Sequence, residues 1–155
     1  MATSSKISDH PYQVMIGAGT CVLGALLTVF DPSGLAVLAA GATLVWWHRL
    51  RPSAGFAAVG AVAGAVAGTL GTLAVRTEEL CCMFGWNEHR GWPYAWLSRG
   101  GGADSPEAAR QMAIASGWDL SFLPFMLDVL VWGCVGMLLT IGIGLTGRAW
   151  RGRGR

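Results

Sequence analysis

Apolar residues along this chain gather into four long blocks that carry almost no charge, and the polar residues gather between them. The blocks cover residues 14–30, 35–50, 54–75 and 120–145. Unbroken apolar character over such lengths predicts transmembrane helices, because a bilayer core of roughly 30 Å takes about 20 helical residues at 1.5 Å each. By that measure the second block is short. Turn and cap residues separate the blocks. Asp31-Pro32-Ser33-Gly34 makes a tight hairpin in which Asp31 can cap the second helix, and Pro52-Ser53 opens the third. The expected fold is an all-α membrane protein, a bundle of four transmembrane helices in a single integral membrane domain over residues 1–155.

One polar stretch, residues 76–119, reads as a long structured outer loop between helices three and four. Residues 76–82 extend the third helix beyond the lipid. Residues 86–96 are aromatic and rich in breakers, and residues 98–102 are flexible. Ser105-Pro106-Glu107 carries a cap, a first-turn proline and an acid, so a short helix follows and ends at Gly117.

Composition supports the membrane reading. Hydrophobic residues make up 53% and charged residues 13%, about half the charged share of a soluble domain. The start, residues 1–13, has one lysine and does not resemble a cleavable signal, so it is expected to be a short cytoplasmic tail. Four of the eleven basic residues, Arg148, Arg151, Arg153 and Arg155, lie in the last eight positions. Basic flanks stay in the cytoplasm. The second connection, with Arg49 and Arg51, and the tail at 146–155 therefore belong inside, with both termini cytoplasmic and residues 76–119 on the outer face. A composition rich in Ala, Gly, Arg and Trp fits a bacterial plasma membrane. The arginine tail can also touch anionic lipid; no nucleic-acid partner is expected.

Four sets of residues are candidates for a role. Gly60, Gly64 and Gly68 fall every four residues and share one helix face, which lets another backbone approach closely, from the same chain or a different subunit. Cys81-Cys82, with Glu88 and His89 downstream, holds soft and borderline ligands, yet lacks the spaced and repeated cysteines of zinc sites. The pair is open to three readings: inert thiols, a disulfide, or metal and redox chemistry. Asp128 lies in the fourth apolar block, where a carboxylate is costly and marks a function or an ion pair. Arg76 or Arg90 is the expected structural partner, and a proton- or ion-handling group is the alternative. The run from His89 through Arg90-Gly91-Trp92-Pro93-Tyr94-Ala95-Trp96 suits the head-group layer. It serves either as a lid pinned to the mouth of the bundle or as a lid over a lipid-like ligand. Cys21 and Cys134 behave as small apolar residues.

Arg90-Gly91-Trp92-Pro93, then Asp119, then the run from Leu123 through Asp128 to Trp132 resembles small uncharacterised bacterial integral membrane proteins. Those join an exported Arg-Gly-aromatic-Pro loop to a last helix bearing an aspartate before an aromatic. The resemblance covers the C-terminal half. It implies that Arg90 and Asp128 belong to one structural unit and implies no activity.

Nucleophile elbows, phosphate loops and HExxH helices are absent from the sequence. The expected function is non-catalytic: a small membrane subunit or accessory protein that associates laterally through the glycine face and presents the outer loop for docking. Its partners are the lipid bilayer and other membrane subunits or further copies of itself, and no cofactor is expected. One alternative is a membrane enzyme or carrier for a lipophilic molecule, with Asp128, His89 and Arg90 as its polar groups. Another is thiol or metal chemistry at Cys81 and Cys82.

Overall fold

A computed structural model of the chain describes residues 11–50, 52–81 and 84–153. Its elements, in order, are α1 (Pro11–Phe30), α2 (Gly34–Val45), α3 (Trp47–Leu50), α4 (Ala54–Thr72), β1 (Arg76–Cys81), β2 (Gly85–Arg90), β3 (Leu97–Gly102), α5 (Pro106–Ser116), β4 (Asp119–Leu120) and α6 (Phe122–Arg153). Among the described residues, three helices are long and apolar enough to cross a membrane: Tyr12–Phe30, Ala54–Thr72 and Phe122–Arg151. Large apolar side chains lie exposed along them, as with Val59, Val62, Val66 and Leu70 on α4. These four fall on one face at helical spacing, opposite the buried Ala57, Gly60 and Thr72. A contiguous apolar stripe of this kind suits lipid and not water, which points to a membrane location.

The helix expected over residues 35–50 is shorter. At Trp46 the backbone leaves the helical region (φ −90°, ψ 13°), and a separate four-residue turn follows. The 12 residues of α2 span about 18 Å at 1.5 Å per residue, well under the bilayer core. At the other end, α6 runs for 32 residues, about 48 Å, and carries most of the expected tail as helix.

The chain divides into two compact units, Met1–Val62 with Cys134–Arg155, and Ala63–Gly133. In the first, α1 and α2 form an antiparallel hairpin closed by Asp31, whose Oδ1 accepts the Ser33 N–H at 2.7 Å. Glycines seven residues apart line the contact, Gly17 and Gly24 on α1 and Gly34 and Gly41 on α2. A Cβ at Gly24 would overlap the Leu38 backbone, and one at Gly41 would overlap Cys21. The backbones therefore touch, and dispersion contacts hold the pair. In the same unit Gly60 faces Thr140 of α6 so closely that a Cβ would overlap its side chain.

The second unit corrects the all-α expectation. Residues 76–81 do not prolong the helix. α4 stops at Thr72 with tightened i→i−3 bonds through Val75, and the chain turns into a four-stranded antiparallel sheet of order β1-β2-β3-β4. The stretches 86–96 and 98–102, expected to be irregular, supply β2 and β3. α5 forms where the cap signal placed it. Ser105 Oγ accepts the Ala108 N–H at 3.3 Å, and Gly117, at φ 81°, ends the helix in a conformation that favours glycine. Trp86, Ala109 and Ala113 form the core between sheet and helix. α5 lies directly on β3 because position 101 is glycine; a Cβ there would overlap the backbone of Ala109 and Ala113.

Candidate functional site

Strand alternation sorts the sheet's polar residues. Trp86, Glu88 and Arg90 share one face of β2. Their register partners are Leu80, Glu78 and Arg76 on β1 and Gly101, Arg99 and Leu97 on β3. The centre of this face is Glu88, fully buried. Arg99, directly opposite, reaches its Oε2 through Nε at 2.7 Å and through a second guanidinium nitrogen. Arg90 donates to Oε1 from Nε and Nη2 at 3.2 and 3.1 Å, and Arg76 Nε lies 2.9 Å from the same oxygen. Glu78 stands opposite Glu88, a like-charge pairing that is ordinarily unfavourable. Arg76 resolves it by also pairing with Glu78.

Aromatic rings wall the cluster. The Arg99 and Arg90 guanidiniums lie 4.4 and 4.9 Å from the Trp118 ring centroid, and Arg99 lies 5.7 Å from that of Trp86. Burial by itself pushes the Glu88 carboxyl up. Hydrogen bonds from Arg99 and Arg90 and the charges of Arg99 and Arg76 outweigh that effect and hold it below the usual carboxylate range.

The turn from Gly91 to Trp96 is pinned to α6. Gly91 adopts φ 117°, and a Cβ there would overlap the Trp96 ring, so glycine is required on both counts. The peptide before Pro93 is cis. Trp96 N–H bonds to Arg90 O at 3.0 Å and closes the turn. Its ring meets Phe125 edge-on at 5.1 Å, and Trp132 Nε1 donates to Trp92 O at 2.9 Å.

Asp128 lies one helical turn before Trp132 on α6 and is fully buried. The expected ion pair to Arg76 or Arg90 does not form, because both guanidiniums are held by Glu88 on the sheet. Asp128 Oδ2 instead takes a 3.3 Å hydrogen bond from Thr72 Oγ1, and the Tyr94 backbone and the Trp96 indole also face the carboxyl. Trp96 Nε1, Asp128 Oδ1 and Thr69 Oγ1 are buried without a protein hydrogen-bond partner.

His89 and Arg90 are adjacent on one strand and so project from opposite faces of the sheet. Asp128, His89 and Arg90 are therefore not gathered into one set. Gly68 packs so closely on Trp132 that a Cβ would overlap its ring. At Gly60 and Gly68, then, the glycine face meets α6 of the same chain, and Gly64 lies between them on α4. Cys82 lies outside the described residues, as does the Cys81 side chain. Among the described residues, no group of three or more His, Cys, Asp or Glu could hold a metal.

Sequence reasoning missed Glu88 as the organising acid. The available signal was its place among the arginines of residues 76–99. What the cluster does chemically is fix three guanidiniums and clamp β1, β2 and β3 together. Among the described residues nothing pairs with the outer edge of β1: it is the first strand of the sheet, and residues 76–80 are all exposed. No protein-family model, curated protein sequence or solved structure matches the chain.

Proposed function

We propose that this protein is a non-catalytic membrane subunit or accessory protein that presents a rigid sheet at the outer face of a bacterial plasma membrane. The apolar helices anchor it there, in a four-helix bundle whose second pass is the short α2 continued by the α3 turn, so that both termini lie in the cytoplasm. The sheet, braced by the Glu88 cluster and pinned to α6 at Phe125 and Trp132, is the part offered to a partner. The observation that carries this reading is the open edge of β1. Six residues in extended form, with their outer backbone groups unpaired among the described residues, make a template for strand addition by another polypeptide. Arg76, Glu78 and Glu79 on that strand discourage unspecific pairing and favour a segment of matching charge. Since the glycine face of α4 meets α6 at two positions, lateral association would use the exposed apolar stripe on the opposite side of α4.

Site-specific photocrosslinking tests the proposal. A photoreactive residue at Glu79, on β1, is expected to trap a discrete second polypeptide in intact membranes. The same group at Glu107, exposed on α5, is expected to trap none. Equal yields at both positions, or none at either, would count against docking at β1.

A further inference from the structure

We infer that Asp128, Trp96 and Thr69 hold one hydroxylic oxygen, a bound water, in the second unit where α4, α6 and the Gly91–Trp96 turn meet. Thr69 and Thr72 lie three residues apart on α4 and so are neighbours on its surface. Thr72 faces Asp128, and one turn further along Gly68 faces Trp132. The Thr72 hydroxyl has one hydrogen to give. It lies 2.9 Å from Thr69 O and 3.3 Å from Asp128 Oδ2, so the carboxylate receives the weaker share. That leaves Oδ1, the Trp96 indole N–H, which faces the Asp128 carboxyl without closing a well-formed hydrogen bond to it, and the Thr69 hydroxyl, on residues that are 0%, 6% and 6% exposed. Buried polar side chains are rarely left in this state, and three in one small region call for a guest.

Their chemistry selects it. An indole N–H only donates, so a bare metal cation cannot satisfy Trp96. An ionised carboxylate only accepts, so an anion cannot satisfy Asp128. Thr69 can do either. A single oxygen that accepts from Trp96, donates to Asp128 and exchanges a hydrogen bond with Thr69 meets all three needs, and about three bonds is the usual complement of a buried water. Such an oxygen also suits a protonated carboxyl, because the direction of that bond can reverse. The size of the guest is limited as well. Gly68 against Trp132 and Trp96 against Phe125 leave the surroundings closely packed, and Asp128 is closed to solvent. The water completes a link between two helices and the turn that carries the sheet.

Rotating-frame NMR on the full chain in lipid nanodiscs, with 15N-labelled tryptophan, tests this. Trp96→Phe assigns the indole signal. The expected result is a dipolar cross-peak between the Trp96 indole proton and water, retained in Thr69→Ser and lost in Thr69→Val while the indole resonance itself persists. Gly71→Ala, a change with open space around it, serves as the folded control. Absence of the cross-peak in the unmodified protein overturns the inference even if Thr69→Val fails to fold. A cross-peak from Trp96 to acyl-chain protons, or an indole shift that titrates with sodium chloride, overturns it too, by showing a lipophilic or cationic guest.

Discussion

Replacing Glu88 by Gln is the sharpest perturbation the sheet offers. The change keeps the size of the side chain and removes the charge on which Arg76, Arg90 and Arg99 converge. The three arginines would not suffer equally. The side chains of Arg76 and Arg90 are 37% and 33% exposed, so water takes over much of their solvation and their share is small. Arg99 is 15% exposed and makes two contacts to Oε2. It would lose the negative charge, and at most one neutral amide oxygen would remain as an acceptor for three guanidiniums. Removing one partner of a buried pair costs about 3–5 kcal/mol. With two of three partners near solvent, the lower end applies, about 3 kcal/mol, or roughly a 100-fold change in an opening equilibrium at 1.4 kcal/mol per factor of ten. Hydrogen exchange by mass spectrometry in nanodiscs reads this locally. Peptides covering β1, β2 and β3 should exchange about 100-fold faster in Glu88→Gln, while peptides from α1 and α2 in the other unit stay unchanged. A change of less than about threefold in the sheet would refute the reading of Glu88 as the group that holds it together.

Other predictions address separate contacts. Because the folded Glu88 carboxyl sits below its unfolded value of about 4.3, its contribution is fully present above that pH. It is lost as pH falls through the lowered folded value. Protection of the sheet should thus decline below about pH 4, and Glu88→Gln should flatten that decline. On α4, Gly68→Ala should destabilise by about 1–3 kcal/mol, since the new Cβ meets Trp132 near its backbone. Gly71→Ala, with nothing within 4 Å, should be neutral or should stabilise by up to about 1 kcal/mol through helix propensity. Thermal unfolding in detergent, followed by circular dichroism, ranks the two, and the reverse order would contradict the packing described. Trp132→Phe should cost about 1 kcal/mol by removing the hydrogen bond to Trp92 O. It should also speed exchange in the 91–96 turn, and an unaltered turn would show that the indole does not pin it.

The membrane helices were legible because lipid imposes a crude rule, long runs without charge, and α1, α4 and α6 obey it. The break at Trp46 was not, since Trp-Trp-His carries no helix-stopping residue and the bend is set by local backbone geometry. α5 announced itself through Ser105, Pro106 and Gly117. The sheet was hidden for a physical reason. Its strands read Arg-Thr-Glu-Glu-Leu-Cys, Gly-Trp-Asn-Glu-His-Arg and Leu-Ser-Arg-Gly-Gly-Gly, with no alternation of apolar and polar residues. What sits on the packed face is Trp86 under a helix and then a charged cluster, so hydrophobic period two never appears. Asp128 stood out in the sequence as a costly residue, but its surroundings depended on strand register. Register places Arg99 opposite Glu88 and draws Arg76 and Arg90 there, which composition alone could not reveal. The glycine face of α4 was visible in its four-residue spacing. That its neighbour is α6 follows from Thr140 and Trp132, whose positions only the fold supplies.

Docking of another polypeptide on the sheet is the proposal that the β1 edge carries. Native mass spectrometry of the protein released from gently solubilised membranes tests it, comparing the unmodified chain with one carrying Leu80→Pro in β1, where strand alternation turns the N–H away from β2. The expected result is a species heavier than the 16.3 kDa chain by one defined polypeptide, lost on that substitution while the chain itself remains folded. A chain released alone, or a complex indifferent to the change in β1, would contradict it.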